Sequence, residues 1–298
     1  MPWVSVIVPN YNHAPYLKQR IESILNQSFQ DFELILLDDC STDGSREIME
    51  GYRDDPHVSH VVYGETNSGS AFRQWDKGIE LAKGEWIWVA ESDDYAEPDF
   101  LSTLLDEAQK HPQCGMILSL PRYHYPDGST WNHSADGIVK EYTGQNFARQ
   151  QMACANPIHN VSSILLRHTE LLQADLSLCT SMRLCGDWML YAQLCRVTNV
   201  LEINHVLSHY RIHNTNVSSR AEQEGLPLTE GVAVLNYLAR HFHIPTKTYA
   251  RCWGRTWAKQ ERQHHYSPEL RSKIQHLMRP YPAIRLWHKL YQFRLCLK

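Results

Sequence analysis

The feature that most restricts what this chain can become is an alternation in its first hundred residues, where short apolar runs at 4–8, 34–37, 60–63 and 86–90 alternate with stretches of helical periodicity at 15–26, 45–52 and 71–82. Short runs rich in Val, Ile and Leu, with no polar residue at every second place, suit strands buried on both faces. Right-handed crossovers then force those strands parallel, with helices on both sides of the sheet. The first helical stretch carries Leu17, Ile21, Ile24 and Leu25 on one face and begins at Pro15, where a missing N–H costs nothing.

Beyond residue 115 the pattern loosens into short strands and turns, as at Pro126-Asp127-Gly128, and 115–215 reads as a mixed region. Residues 216–298 show helical periodicity broken at Pro227, Pro245, Pro268, Pro280 and Pro282. The expected organisation is a catalytic unit over 1–220, with a nucleotide-binding half 1–100 and an acceptor-binding half 101–220, followed by a helical region 221–298. Charge divides at nearly the same place. Residues 240–298 hold 13 Lys and Arg against 2 Asp and Glu, so a chain of net charge −4 carries −15 over its first 239 residues. A basic tail implies an anionic partner, either a membrane surface or a phosphorylated acceptor, and nothing in the pattern points to nucleic acid. If 283–297 is helical, Leu286, Leu290, Phe293 and Leu297 share a face beside Trp287, flanked by Arg285, Lys289, Arg294 and Lys298.

The longest apolar runs fall far short of a membrane-spanning helix, and the start Met-Pro-Trp-Val-Ser has no basic segment ahead of an apolar one. A cytoplasmic protein is expected, with attachment to the inner membrane face as its one membrane contact. The eight cysteines form no paired spacing, which reads as reduced thiols.

In open parallel sheets ligands bind beyond the carboxyl ends of the strands. The first apolar run ends in Pro9-Asn10-Tyr11-Asn12, the second in Asp38-Asp39-Cys40-Ser41, and the fourth in Glu91-Ser92-Asp93-Asp94. So many carboxylates at one edge repel one another unless a cation or a hydrogen-bonding ligand sits among them.

Taken together, Val-Ser-Val-Ile-Val-Pro-Asn-Tyr-Asn, Leu-Leu-Asp-Asp-Cys-Ser-Thr-Asp-Gly-Ser and Glu-Ser-Asp-Asp resemble the inverting family 2 glycosyltransferases. The resemblance covers residues 3–215 and implies a GT-A type, Rossmann-like α/β fold with a mainly parallel central sheet, here followed by a C-terminal helical appendage. It also implies a nucleotide-diphospho-sugar donor, a glycan or lipid-linked sugar acceptor, and a divalent metal, Mn²⁺ or Mg²⁺.

Residue by residue, the resemblance places Pro9, Tyr11, Asp38 and Asp39 at the donor, with Tyr11 stacking on the base and Asp39 accepting from a uracil N3–H. It puts Asp94 on the metal and Asp93 on the ribose, with Asp93 close enough to share the metal. Arg73, after Asn67-Ser68-Gly69-Ser70, and Arg211, in Tyr210-Arg211-Ile212-His213-Asn214-Thr215-Asn216-Val217-Ser218, face the donor phosphates, and His213 approaches the metal. Asp187, in Cys185-Gly186-Asp187-Trp188, is the expected general base. Two rivals use similar chemistry: a sugar nucleotidyltransferase, which wants a glycine-rich basic loop that 9–13 lacks, and a non-catalytic nucleotide-sugar or glycan-binding protein.

Overall fold

The structure, a computed structural model, describes residues 1–213 and 221–296, with side chains as far as Phe293. Asn214 to Ser218 of the expected closing motif, Leu297 and Lys298, and the Arg294 side chain lie outside the described residues.

The alternation folds as its pattern requires. Strands β1 (Val4–Asn10), β2 (Phe32–Asp38), β3 (Val58–Tyr63) and β4 (Trp86–Val89) are linked by helices α1 (Ala14–Leu25), α2 (Ser45–Glu50) and α3 (Ala71–Leu81). They form a parallel sheet in the order β3-β2-β1-β4, with Val4 opposite Phe32 and Trp86. Period-two geometry sends alternate side chains to opposite faces. Val4, Val6 and Val8 therefore join one core with Leu17, Ile21 and Ile24 of α1, whereas Ile7 joins the other with Phe72, Trp75 and Ile79 of α3.

The sheet continues through β9 (Ile164–Arg167), β6 (Cys114–His124), β10 (Asn199–Arg211) and β5 (Tyr95–Ala96), while β7 (Thr130–Asn132) pairs with β6 and β8 (Val139–Tyr142) with β10. This half is mixed: β9 runs antiparallel to β4 and β6, whereas β6 and β10 are parallel. Helix α4 (Phe100–Lys110) shares the core of α1. Short helices α5 (Gly144–Phe147), α6 (His168–Leu171) and α7 (Leu176–Thr180) precede α8 (Gly186–Leu194).

The C-terminal prolines sit where helices start. Pro227 lies in the first turn of α9 (Leu226–Thr229), Pro245 caps α11 (Thr246–His264), and Pro268 and Pro282 open α12 (Pro268–Leu277) and α13 (Pro282–Cys296); α10 (Gly231–Phe242) lies between α9 and α11. These helices continue the α3 and α8 side of the molecule, where Trp188, Leu235, Trp253, Trp257 and Ile284 belong to one buried cluster. At Gly254 a Cβ would lie 2.5 Å from Trp287 Cβ and 2.7 Å from the His288 nitrogen, so glycine lets α11 and α13 pack backbone to backbone.

The cysteine expectation is corrected. Cys154 and Cys252, 98 residues apart, form a disulfide with a Cα–Cα distance of 5.1 Å. The fold beyond residue 115 brings them together, a juxtaposition that sequence spacing cannot show. Among the described residues, no helix is long and apolar enough to cross a membrane.

Candidate functional site

The turns after β1 and β2 are built to hold polar groups still. Asn12 and Cys40 adopt left-handed backbone, with φ of 56° and 67°. Asn12 Oδ1 accepts from the Thr42 N–H at 2.8 Å, and the Asn12 N–H donates to Ser41 Oγ at 2.9 Å, so the two turns clamp each other. Tyr11 is left 46% exposed at the strand end, and Pro9 is buried within β1 in register with Leu37.

The two aspartates after β2 have different environments. Asp38 accepts from Arg46 Nε at 2.8 Å, the Ser41 N–H at 3.0 Å and Asn10 Nδ2 at 3.3 Å. Burial works against its ionisation, but these bonds outweigh it and hold the carboxyl below its ordinary range. Asp39 accepts from the Ser68 N–H at 2.9 Å, Ser68 Oγ at 2.8 Å and Gln74 Nε2 at 2.7 Å, which fixes the 67–70 loop and α3 against β2. Arg73 lies exposed on α3, with Nη1 donating to the Ser68 carbonyl at 3.0 Å.

Asp93 and Asp94 point to opposite sides. Asp93 Oδ2 lies 2.9 Å from His213 Nε2, and His13, Asp93 and His213 each present a ligating atom within 4.8 Å of the others. Desolvation lowers the His13 pKa and leaves the ring neutral, ready to offer a lone pair, while its Nδ1 lies 2.8 Å from Ser92 Oγ. Asp94 faces the interior, where it accepts from Ser162 Oγ at 2.7 Å, Asn160 Nδ2 at 2.9 Å and the Arg211 N–H at 3.1 Å. Burial and then the charge of Asp93 push its carboxyl up to about 7. Burial raises Glu91 to about 8 although its Oε1 accepts from Trp75 Nε1 at 2.8 Å. Asp93 itself stays below the usual carboxylate range: burial opposes this, but the bond to His213 and the nearby His13 outweigh it. The expectation names Asp94, Asp93 and His213 at the metal and also gives Asp93 the ribose; of these, Asp93 and His213 lie together, joined by His13, while Asp94 bonds Ser162 and Asn160.

Arg211 is fixed over Tyr95 and Tyr16, with its guanidinium carbon 4.6 and 5.2 Å from the ring centroids. Its Nη1 donates to the Asp93 carbonyl at 2.6 Å, and its Nη2 bonds Gln19.

Sequence reasoning missed Arg20. This residue is 0% exposed, its guanidinium carbon lies 4.9 Å from the Trp88 ring centroid, and none of its three nitrogens has a hydrogen-bond partner among the described residues. Burial pulls its pKa down to about 10, and the carboxylates of Asp94, Asp93 and Glu91 resist that fall, so it remains a cation facing the acidic loop at neutral pH. The available signal was a charged residue at position 20 inside the apolar stripe Leu17, Ile21, Ile24.

Asp187 stands in the first turn of α8. Its Oδ1 accepts from the Trp188 N–H at 2.6 Å and its Oδ2 from Asn156 Nδ2 at 2.7 Å. Solvent reaches part of the residue, yet the dense surroundings raise its carboxyl to about 7, against the pull of both hydrogen bonds. The segment 156–163 connects this acid to the acidic loop. Asn156 bonds Asp187, Asn160 and Ser162 bond Asp94, and Pro157, Ile158, His159 and Ser163 line a cavity of about 450 Å³ with Tyr123, Glu202 and other residues of β6 and β10. No sequence motif marked this segment; its asparagines were the only hint.

Fold and site together describe an α/β protein with an acid–imidazole centre at its strand ends. Residues 5–175 match the family described as Glycosyl transferase family 2, more than half of the chain, and the chain belongs to that family. Glycosyltransferase GlyG of Streptococcus pneumoniae is 34% identical over 150 residues, 50% of this chain and 47% of that protein. Chondroitin synthase of Pasteurella multocida is 27% identical over 219 residues, 73% of this chain and 21% of that protein. The chain thus spans less than half the length of each of these two relatives. A crystal structure of S. aureus TarS 1-349 in complex with UDP-GlcNAc superposes with a TM-score of 0.63 at 19% identity, covering 98% of this chain and 92% of that one, a likeness of fold.

Proposed function

We propose that the chain is an inverting, metal-dependent glycosyltransferase that moves a sugar from a uridine diphosphate donor to a hydroxyl of a growing glycan or a lipid-linked sugar. The observation that carries this reading is the meeting of Asp93 with His13 and His213 beside the strand ends that hold Tyr11 and Asp39. The TarS structures in complex with UDP and with UDP-GlcNAc support the same donor class.

Two imidazoles and one carboxylate fit a divalent cation, and this donor set suits Mn²⁺ better than Mg²⁺, which prefers oxygen. When bound, such an ion supplies Lewis-acid stabilisation of the charge on the departing diphosphate. Asp93, His13 and His213 are the proposed ligands, and Asp94, turned inward, supports the loop. Tyr11 stacks on the base. Asp39 accepts the uracil N3–H while Ser68 and Gln74 hold its oxygens in place. Asp38 fixes the turn through Arg46, Arg73 offers an exposed guanidinium to the phosphates, and Arg211 orients the Asp93–Asp94 backbone. Asp187 takes the acceptor hydroxyl proton as that oxygen attacks the anomeric carbon. The 450 Å³ cavity, joined to Asp187 by 156–158, is the proposed acceptor recess.

The test is donor turnover with UDP-, GDP- and TDP-sugars, with and without Mn²⁺. UDP-sugar turnover should vanish in EDTA, return with Mn²⁺, and stay lost in Asp93→Asn. Full turnover in EDTA, or GDP bound much more tightly than UDP, overturns the reading.

We infer also that α13 rests on an anionic membrane surface, the inner face if the protein is cytoplasmic. Leu286, Leu290 and Phe293 are 59, 45 and 66% exposed on one side of it, with Arg285 and Lys289 interleaved. Co-sedimentation with anionic vesicles at low salt should fall in a Leu286→Ser/Phe293→Ser variant, and equal binding by that variant removes α13 from the interface.

A further inference from the structure

A second cavity is lined by none of the acidic-loop residues. It lies among α11, α12 and α13, encloses about 670 Å³ and opens to solvent. Arg271 and Arg279 approach it from α12 and the turn after it, and Arg285 and Lys289 from α13. None of these four exposed side chains has an ion-pair or hydrogen-bond partner among the described residues.

The one carboxylate on the wall is already engaged. Glu261 accepts from Trp257 Nε1 at 2.8 Å, Gln292 Nε2 at 2.7 Å and His288 Nε2 at 2.9 Å, and the His288 ring stacks on Trp257 with centroids 3.8 Å apart. Burial opposes ionisation of Glu261, but the bond from His288 leads the effects that hold its carboxyl below the ordinary range. Four cations against one carboxylate leave three uncompensated positive charges around a single recess. Like charges lining one recess repel, and a bound anion relieves that repulsion.

We propose that this cavity is a second binding site, separate from the transferase centre, for a phosphate-bearing group with more than one negative charge, such as a diphosphate. Guanidinium forks match the paired oxygens of a phosphate, and an excess of three positive charges exceeds what one carboxylate could neutralise. The volume leaves room for the group to which the phosphate is attached. The inference stands on the cavity alone and does not need the transferase reading or the membrane reading to hold.

Binding of inorganic pyrophosphate to the full-length protein, in EDTA and at low ionic strength, tests it through the fluorescence of the wall residue Trp257 and through calorimetry. Wild type should bind saturably, more weakly as salt rises. An Arg271→Ala/Arg279→Ala variant should lose on the order of tenfold in affinity or more, whereas Asp93→Asn binds as wild type. The substituted side chains are exposed, so donor turnover by the double variant should be unchanged and reports that it folds. Vesicles of phosphatidic acid in phosphatidylcholine give the second arm. Loss of vesicle binding in the double variant, together with loss of pyrophosphate binding, assigns a lipid-borne phosphate; loss of pyrophosphate binding alone assigns a soluble one. No saturable pyrophosphate binding, or equal affinity in the double variant, overturns the proposal.

Discussion

A general base works only as its carboxylate, so the environment of Asp187 sets the pH range of the proposed reaction. Burial raises its carboxyl to about 7, and a base with a raised pKa is progressively protonated as pH falls through that value. Transfer should therefore rise with pH to a plateau with a midpoint near 7, measured as single-turnover rate with donor saturating. Asn156→Ala removes a donor that favours the charged form, and should move the midpoint upward. Asp187→Asn should lower the rate by roughly 10²–10⁴-fold while donor affinity holds, since it removes proton transfer and leaves the donor contacts. An unchanged rate in that variant takes Asp187 out of the mechanism. Much of this chemistry was legible residue by residue because strand ends expose it: Tyr11, Asp39, Asp93 and Asp187 all follow apolar runs or begin helices. What did not show was which way a side chain turns. Asp93 and Asp94 are adjacent and identical in type, and the packing of Asn160, Ser162 and the Arg211 N–H around one and of His13 and His213 around the other separates their environments.

The helix that carries Asp187 is held from outside. Glu230, between α9 and α10, accepts from the backbone N–H groups of Arg183, Leu184 and Cys185, each at 2.9 Å, immediately before α8 begins. Cys185 is the N-cap of α8, whose first N–H groups lack intrahelical partners, and a carboxylate is favoured there by the helix dipole. Glu230→Ala should cost about 1–3 kcal/mol of stability, because it leaves three N–H groups, two of them part-buried, without this acceptor, and should lower transfer more than donor binding by loosening Asp187. Urea unfolding and paired rate and affinity measurements check it; a variant of unchanged stability and rate contradicts it. Gly186 restricts the same element, since a Cβ there would lie 2.6 Å from Phe72 Cδ2 and 2.7 Å from the Cys179 carbonyl. The elements that periodicity revealed were the early ones, whose strands and helices have clean two- and 3.6-residue patterns. Strand β5, of two residues, and the pairing of β9 between β4 and β6 carry no such pattern, because the sheet around them decides their conformation.

At the scale of the whole molecule, the C-terminal helices are joined to the sheet by packing and by a covalent bond. Trp188 of α8 and Trp253 of α11 stack with interplanar angle 6°, and Arg149 Nε donates to the Phe242 carbonyl at 2.6 Å. The basic character of this region was visible in the composition, and its prolines marked the helix starts. Its attachment was not visible, because it rests on contacts between residues about a hundred positions apart. The Cys154–Cys252 bond is the clearest case, closing a loop with sequence separation 98. Cross-linking so long a loop removes much of the freedom of the unfolded chain, which in the chain-entropy picture stabilises the folded state by about 2–5 kcal/mol. In a reducing compartment the bond is lost and packing alone must hold the helices. Cys252→Ser in oxidised protein should therefore lower the urea midpoint, wild type treated with reductant should fall to the same midpoint, and the variant itself should be insensitive to reductant. Alkylation of unfolded wild type should count two fewer thiols before reduction than after. Equal thiol counts, or a variant as stable as oxidised wild type, shows that this linkage does not hold the two parts together.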